Sequence, residues 1–327
     1  MTEIESKKLD RHGCLGIFED LQRYLPPESV RIDPAAVVLF CGDSGVSRQG
    51  TSSYQPMDSA RIVWRHLNGN AYTRVAAERF GMRVFLTDVG LYDVLAHPGL
   101  LCARCGAAAD WAAGEALTPD QTVRALEAGR RTVGTLAAEG IRTIGIGEIG
   151  IGGTLSASCL TAALLRLPAW RVVGAGSDYQ LSHLNRKYEL LNAALASAAE
   201  TPCSALRSLE RFGSVELAAL AGAVLGAMEH GMLAVLDGFV AGTAALVAEH
   251  LRPGAKARTV TASESLEPGH RYVMNALDHQ ALLPLGINYG EGLAAVFALF
   301  FLEIAEEFKK MQDFIIQKEN FIALISQ

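Results

Sequence analysis

Two carboxylates in this chain stand between glycines: Glu148 in G-E-I-G-I-G-G, from Gly147, and Glu291 in Y-G-E-G, from Tyr289. A carboxylate on a glycine turn is not the usual solvated charge of a helix face. It can act as a general base, or stabilise positive charge developing on a reacting carbon. Glu291 has a plainer alternative, a capping carboxylate, because helical residues follow it at once. Two glycine-rich loops, at 147–153 and 174–177, read as strand-to-helix turns. There, backbone N–H groups and the helix dipole favour an anion such as phosphate. Neither loop has the G-x-x-x-x-G-K-[ST] form of a triphosphate site or the G-x-G-x-x-G form of a dinucleotide site. Arg186 and Lys187 follow the second loop; they can reach a phosphate or be a solvated basic pair on a helix.

Other chemistries find little support. No G-x-S-x-G or H-E-x-x-H occurs, and the eight histidines do not pair at metal-ligand spacing. His270, in E-P-G-H, reads as structural. Among six cysteines only Cys102 and Cys105 form a C-x-x-C pair. A four-ligand zinc site would need a second pair, so these read as thiols of a reduced compartment. No metal and no cofactor is expected.

The elements that must carry these residues follow from hydrophobic patterning. Short apolar runs at Val37–Phe40, Val84–Thr87, Thr143–Ile146, Arg171–Val173, Leu233–Leu236 and Thr259–Thr261 read as strands. They are apolar on both faces, as in parallel strands covered on both sides. Helical spacing runs through Ser59–Phe80, Pro119–Glu139, Val215–Glu229 and Ala241–His250. The alternation predicts an α/β fold with a Rossmann-like, doubly wound parallel sheet. Five of the strand candidates run into glycine with a carboxylate or hydroxyl nearby, and ligands of such sheets bind at the strands' carboxyl ends. Phe308, Met311, Phe314, Ile315 and Phe321 recur at helical spacing and read as core or subunit interface. The expected organisation is an N-terminal helical segment at 1–30, the sheet domain at 31–290, and C-terminal helices at 291–327 that complete a small helical domain with the N-terminal segment.

Composition narrows the class. The chain has 327 residues, is 50% hydrophobic and has a net charge of −6. That charge disfavours broad nucleic-acid binding. No apolar run approaches the ~20 residues of a membrane span. The charged N-terminus, MTEIESKKLD, is not a secretory signal. A soluble, cytoplasmic protein is expected.

In order, these segments resemble the nicotinate-nucleotide:dimethylbenzimidazole phosphoribosyltransferases (CobT). C-G-D-S-G-V from Cys41 and G-T-S-S-Y-Q-P from Gly50 stand for the family's A-G-D-H-G-V and G-V-S-x-Y-P-Q. G-E-I-G-I-G-G-T-L from Gly147 stands for G-E-M-G-I-G-N-T-T, and G-A-G-S-D from Gly174 for G-R-G-T-G. F-G-S-V-E-L-A-A-L-A-G, with Gly213 and Glu216, stands for G-G-x-E-I-A-A-M-x-G. L-D-G-F at Leu236–Phe239 is intact. A-S-E-S-L-E-P-G-H, ending at His270, and L-G-I-N-Y-G-E-G-L-A-A, from Leu285, stand for S-H-R-S-A-E-P-G-H and L-G-x-R-L-G-E-G-S-G-A. The match covers nearly the whole chain.

The resemblance implies a Rossmann-like sheet with a small helical domain, and transfer of phosphoribose from nicotinate mononucleotide to an aromatic acceptor with release of nicotinate. It implies Glu291 as general base and Glu148 as second active-site carboxylate. Gly150, Ile151, Gly152, Gly174, Gly176, Ser177 and Lys187 would hold the 5′-phosphate. Ser52, Tyr54 and Arg61 would line the acceptor pocket. The chain departs from the family at Ser44, Gly153, Asp178, Ser263-Glu264, Asn288 and Arg61, where the family carries His, Asn, Gly, His-Arg, Arg and Gln. The acidic residues Asp178 and Glu264 should weaken phosphate binding. That favours a subunit of a heterodimeric enzyme, similar to the phenol/p-cresol phosphoribosyltransferases, over an enzyme active by itself, as a homodimer, with an altered acceptor such as a phenol or another benzimidazole. The alternative is a non-catalytic subunit that completes a homologous chain's site. A dinucleotide-dependent oxidoreductase is weaker still, because its fingerprint is absent.

Overall fold

A computed structural model of the chain describes residues 17–25, 31–176, 180–198 and 204–325. Its centre is a parallel sheet of six strands, in the order β3-β2-β1-β4-β5-β6. The strands are β1 (Ala35–Gly42), β2 (Arg83–Gly90), β3 (Leu100–Cys102), β4 (Thr143–Ile149), β5 (Leu233–Leu236) and β6 (Thr259–Thr261). The chain winds outwards from β1 in both directions, so the topology reverses between β1 and β4. The expected Rossmann-like doubly wound sheet is the fold observed.

The two faces of β1 explain its uninterrupted apolar run. Ala36, Val38 and Phe40 belong to the core on one side, and Val37, Leu39 and Cys41 to the core on the other. The first core is closed by α4 (Pro119–Ala138), α5 (Gly153–Leu165), α8 (Val215–Glu229) and α9 (Phe239–Leu251). Thr118 starts α4 with a capping box to Gln121, and Pro119 opens the helix, where its missing N–H costs nothing. The second core is covered by α2 (Asp58–Leu67), α3 (Tyr72–Arg79) and the first turns of α11 (Leu293–Ile325).

Gly145 and Gly147 on β4 let α11 approach. A Cβ on Gly147 would lie 2.7 Å from the backbone N of Gly292, and one on Gly145 would lie 3.0 Å from Ala295 Cβ. Helix α1 (Ile17–Gln22) packs on the middle of α11. There Phe18 stacks on Phe301 and meets Phe308 edge-on.

Three sequence expectations need correction. Arg171–Val173 is not a strand. Ala169–Arg171 forms a 3-10 turn, and Val173 N–H returns to the Ala169 carbonyl at 3.0 Å. Its valines are buried, which is why the segment resembled a strand. The sixth strand is β3, a leucine-rich run without a β-branched residue. The helix expected over Ser59–Phe80 is two helices, α2 and α3, broken at Asn68-Gly69-Asn70 with Gly69 at φ 75°. The core reading also fails for Met311, Phe314 and Ile315, which are exposed, whereas Phe308 is packed. The Phe321 side chain lies outside the described residues. Among the described residues, no helix is long and apolar enough to cross a membrane.

Candidate active site

At the carboxyl ends of β4 and β5, beside the loop that follows β1, lies a cleft of about 590 Å³. This is the place that the reversal of strand order leaves open. Glu148, Glu291, Gly150, Ile151, Gly152, Gly176, Lys187, Ser52, Tyr54 and Arg61 all line it. Gly174 is not in the lining. Ser177 and Asp178 lie outside the described residues.

One end of the cleft is suited to an anion. Gly152, in the left-handed region at φ 96°, is the N-cap of helix α5, and Gly153 and Thr154 present the helix's first turn to the cleft. The first N–H groups of a helix lack intrahelical partners and carry its positive dipole end. Gly176 brings a second segment to the same spot. A Cβ on Gly176 would lie 3.3 Å from both Lys187 Nζ and Thr154 Oγ1. Lys187 is buried and donates to the carbonyl of Ala175 at 2.8 Å. Glu267 organises this loop by accepting from Gly176 N–H at 2.6 Å, and burial raises its carboxyl. The loop is therefore reached from a 3-10 turn, not from a strand as expected.

Glu264, expected beside the phosphate, is exposed and does not line the cleft. Its charge thus gives no support to the weakened phosphate site inferred from the sequence. Asn288 accepts from Ser265 Oγ at 3.1 Å and from Leu266 N–H at 3.3 Å, which holds that turn against the cleft wall. Ser44 is buried behind the loop and pairs with Ser156 Oγ at 3.0 Å. Gly153 leaves its place beside Glu148 free of a side chain. Arg61 is mostly exposed and bonds Asp58 at 3.0 Å.

The carboxylates occupy the middle of the cleft. Gly150 can turn here because it has no Cβ; one would lie 2.0 Å from the carbonyl oxygen of Gly42. Glu148, at the end of β4, has its carboxyl pushed well up by burial, then by Glu216, Asp237 and Glu291. Its Oε2 has no hydrogen-bond partner. Burial also raises Glu216 to about 7 and Asp237 to about 6.

Asp237, at the end of β5, accepts from the N–H groups of Gly292, Ala294 and Ala295. Asp237 rather than Glu291 thus caps α11, so the capping alternative for Glu291 is not the one realised. Glu291 has φ 55°, between Gly290 and Gly292 at φ 76° each. Its carbonyl accepts from Thr73 Oγ1 at 2.7 Å. Its carboxylate Oε2 lies 2.8 Å from His66 Nε2 and accepts from the Tyr289 hydroxyl at 3.1 Å; Arg65 approaches Oε1 at 3.6 Å. Tyr289 is pushed up to about 12, first by burial and then by Glu291.

His66, Arg65, Tyr289 and Asp237 were not singled out from the sequence. Asp237 stands in the L-D-G-F motif, where a carboxylate directly after a strand was the available signal. His66 lies 225 residues from Glu291 and has no local signature. His270 is buried, accepts from Ser265 N–H at 2.9 Å and is lowered to about 4 by burial, consistent with a structural role.

A buried acid cluster beside a corner suited to an anion, at the reversal point of a doubly wound sheet, marks the candidate ligand site of an α/β protein. A family model described as phosphoribosyltransferase matches residues 6–315. The nicotinate-nucleotide–dimethylbenzimidazole phosphoribosyltransferase of Chloroflexus aurantiacus is 34% identical over 299 residues, covering 90% of this chain and 85% of that one. The protein of that name from Azotobacter vinelandii is 35% identical over 311 residues, covering 93% and 88%. The crystal structure of CobT from Thermus thermophilus superposes with a TM-score of 0.84 at 35% identity, covering 90% of each chain. The chain belongs to the nicotinate-nucleotide–dimethylbenzimidazole phosphoribosyltransferase family.

Proposed function

We propose that this chain transfers phosphoribose from nicotinate mononucleotide to an aromatic acceptor during synthesis of a cobamide lower ligand. The observation that carries this reading is the arrangement of Glu291 and Glu148 in one cleft with the anion corner of α5, Gly176 and Lys187. The 5′-phosphate would lie on the helix start beside Lys187. That orientation turns the anomeric carbon towards the carboxylates. The acceptor, a benzimidazole or a phenol such as p-cresol, would enter beside Ser52, Tyr54 and Arg61. Glu291 takes the acceptor's N–H or O–H proton as the new bond to the anomeric carbon forms. The carbon–nitrogen bond to nicotinate breaks on the opposite face, and its electron pair neutralises the pyridinium. Glu148 stabilises the positive charge that grows on the ribosyl centre.

A finer reading is that a second subunit, homologous as in a heterodimer or identical, packs beside the cleft: Tyr54 of the lining, the nearby Met57, and Tyr72 against Tyr289 leave apolar side chains exposed for it to cover.

The test measures nicotinate release by the purified chain with dimethylbenzimidazole, phenol or p-cresol. Turnover by the chain alone establishes the activity and removes the need for a partner. Turnover only after addition of a homologous chain supports the heterodimer. Glu291→Gln is expected to lower kcat by at least about 100-fold, the typical contribution of a positioned base. If Glu291→Gln is as active as the wild type, the assignment of the base fails.

A further inference from the structure

We propose that His66 is the positioning residue of Glu291: its Nε2–H, donated from the last turn of α2, fixes the carboxylate so that Oε1 alone is free to take the acceptor's proton. This deepens the reading of Glu291 as base and rests on it.

The imidazole is wholly buried, with Nε2 2.8 Å from Glu291 Oε2. Its Nδ1 is buried and has no partner. Of the two neutral tautomers, one would bury an unpaired N–H at Nδ1, and the other only an unpaired lone pair. A lone donor out of water is the costlier of the two, so the network assigns the proton to Nε2. His66 therefore donates.

The Tyr289 hydroxyl is the second donor to the same oxygen, at 3.1 Å. It stays protonated because burial and the neighbouring carboxylate push it up to about 12. Both hydrogen bonds fall on Oε2, whereas Oε1 accepts none and has the Arg65 guanidinium at 3.6 Å as its charged neighbour.

The need for such a hold is visible in the backbone. Glu291 has φ 55°, a conformation that costs a non-glycine residue energy and persists only where its surroundings over-determine it. Thr73 holds its carbonyl, Asp237 the N–H that follows it, and His66 and Tyr289 its side chain. Nor is His66 placed to relay the proton onward. Its far nitrogen meets no acceptor or donor through which a proton could leave.

The test compares His66→Gln, whose amide nitrogen can occupy the place of Nε2, with His66→Leu, which fills the volume without a donor. His66→Leu is expected to lose about 100-fold in kcat, as for a reacting group displaced by about an ångström. Its KM for nicotinate mononucleotide should stay within about threefold, and His66→Gln should recover at least a tenth of the wild-type kcat, since only orientation is at stake. Equal losses in both variants, or no loss in His66→Leu, would overturn the positioning role. A Glu291→Gln protein with wild-type turnover would instead overturn the reading on which it rests. A readout independent of turnover and of any variant's folding is the 15N spectrum of histidine-labelled wild type. A proton on Nε2 is expected for His66, and a pattern with Nε2 unprotonated and the proton on Nδ1 would overturn the proposal.

Discussion

Glu148 ends a strand between buried acids, with one carboxyl oxygen unpartnered, and that environment favours its neutral form. In the proposed reaction, the cationic pyridinium of the bound donor would draw Glu148 to its carboxylate form, the proton passing to solvent through the cleft, before positive charge grows on the ribosyl carbon. Glu148→Gln copies the shape of the neutral acid but cannot ionise. It is expected to lower kcat by about 100-fold, the scale of removing one electrostatic stabiliser of a transition state. The apo protein should be as thermostable as the wild type, or more so. Steady-state kinetics beside a thermal melt will check this, and an unchanged kcat would deny Glu148 a charge role. Glycine neighbours made Glu148 and Glu291 conspicuous in the sequence, because a turn carboxylate has few structural uses. His66 and Arg65 had no such mark. Arginine and histidine in the last turn of a helix look like ordinary complements to its dipole. Only the tertiary fold turns them towards a carboxylate 225 positions away.

At the level of elements, patterning exposed the strands with β-branched, two-sided apolar runs, and missed the one without them. β3 is only Leu-Leu-Cys, and its identity comes from pairing with Leu86–Asp88. Arg171–Val173 had the composition of a strand but no neighbour with which to form a ladder. Helix contacts were legible as composition only. The alanine- and glycine-rich α8 packs so closely on α4 that a Cβ on Gly222 would lie 1.9 Å from the Leu126 carbonyl oxygen. A Cβ on Gly129 would lie equally near that of Ala219. Because backbone meets backbone here, no side chain can move aside. Gly222→Ala is therefore expected to destabilise the protein by about 1–3 kcal/mol, the cost of overpacking. Gly114→Ala, with nothing within 4 Å, should change stability by less than about 0.5 kcal/mol. Urea unfolding of both variants separates close packing from a general effect of losing glycine.

The molecule as a whole carries an electrostatic strain that its modest net charge of −6 conceals. Glu148, Glu216, Asp237 and Asp43 all have carboxyls raised by burial, to about 7 for Glu216 and about 6 for Asp237. In the unfolded chain these groups return to ordinary values near 4, so between there and pH 7 the folded state holds protons that the unfolded state releases. Raising the pH through that window must destabilise the fold, by on the order of 3 kcal/mol for Glu216 alone. Glu249 acts in the opposite sense. Its carboxyl is held below the usual range by the N–H groups of Lys256 and Gly254, so its contribution is lost on acidification. His270 and His279, whose imidazoles burial lowers, act with Glu249: their contribution grows as the pH rises to about 6.5, where the unfolded histidines lose their protons. Above that point only the raised acids act, so stability of the free protein should decline from about pH 6.5 towards pH 8. Glu216→Gln keeps an acceptor for Ser214 and removes a carboxyl that burial raises to about 7. It should raise stability at pH 8, leave it nearly unchanged at pH 5, and flatten the decline above about pH 6.5. Urea midpoints decide the matter: a wild-type curve that rises from about pH 6.5 to pH 8, or a Glu216→Gln variant with an unaltered slope there, would show that these acids are ionised in the folded state, with their charges compensated.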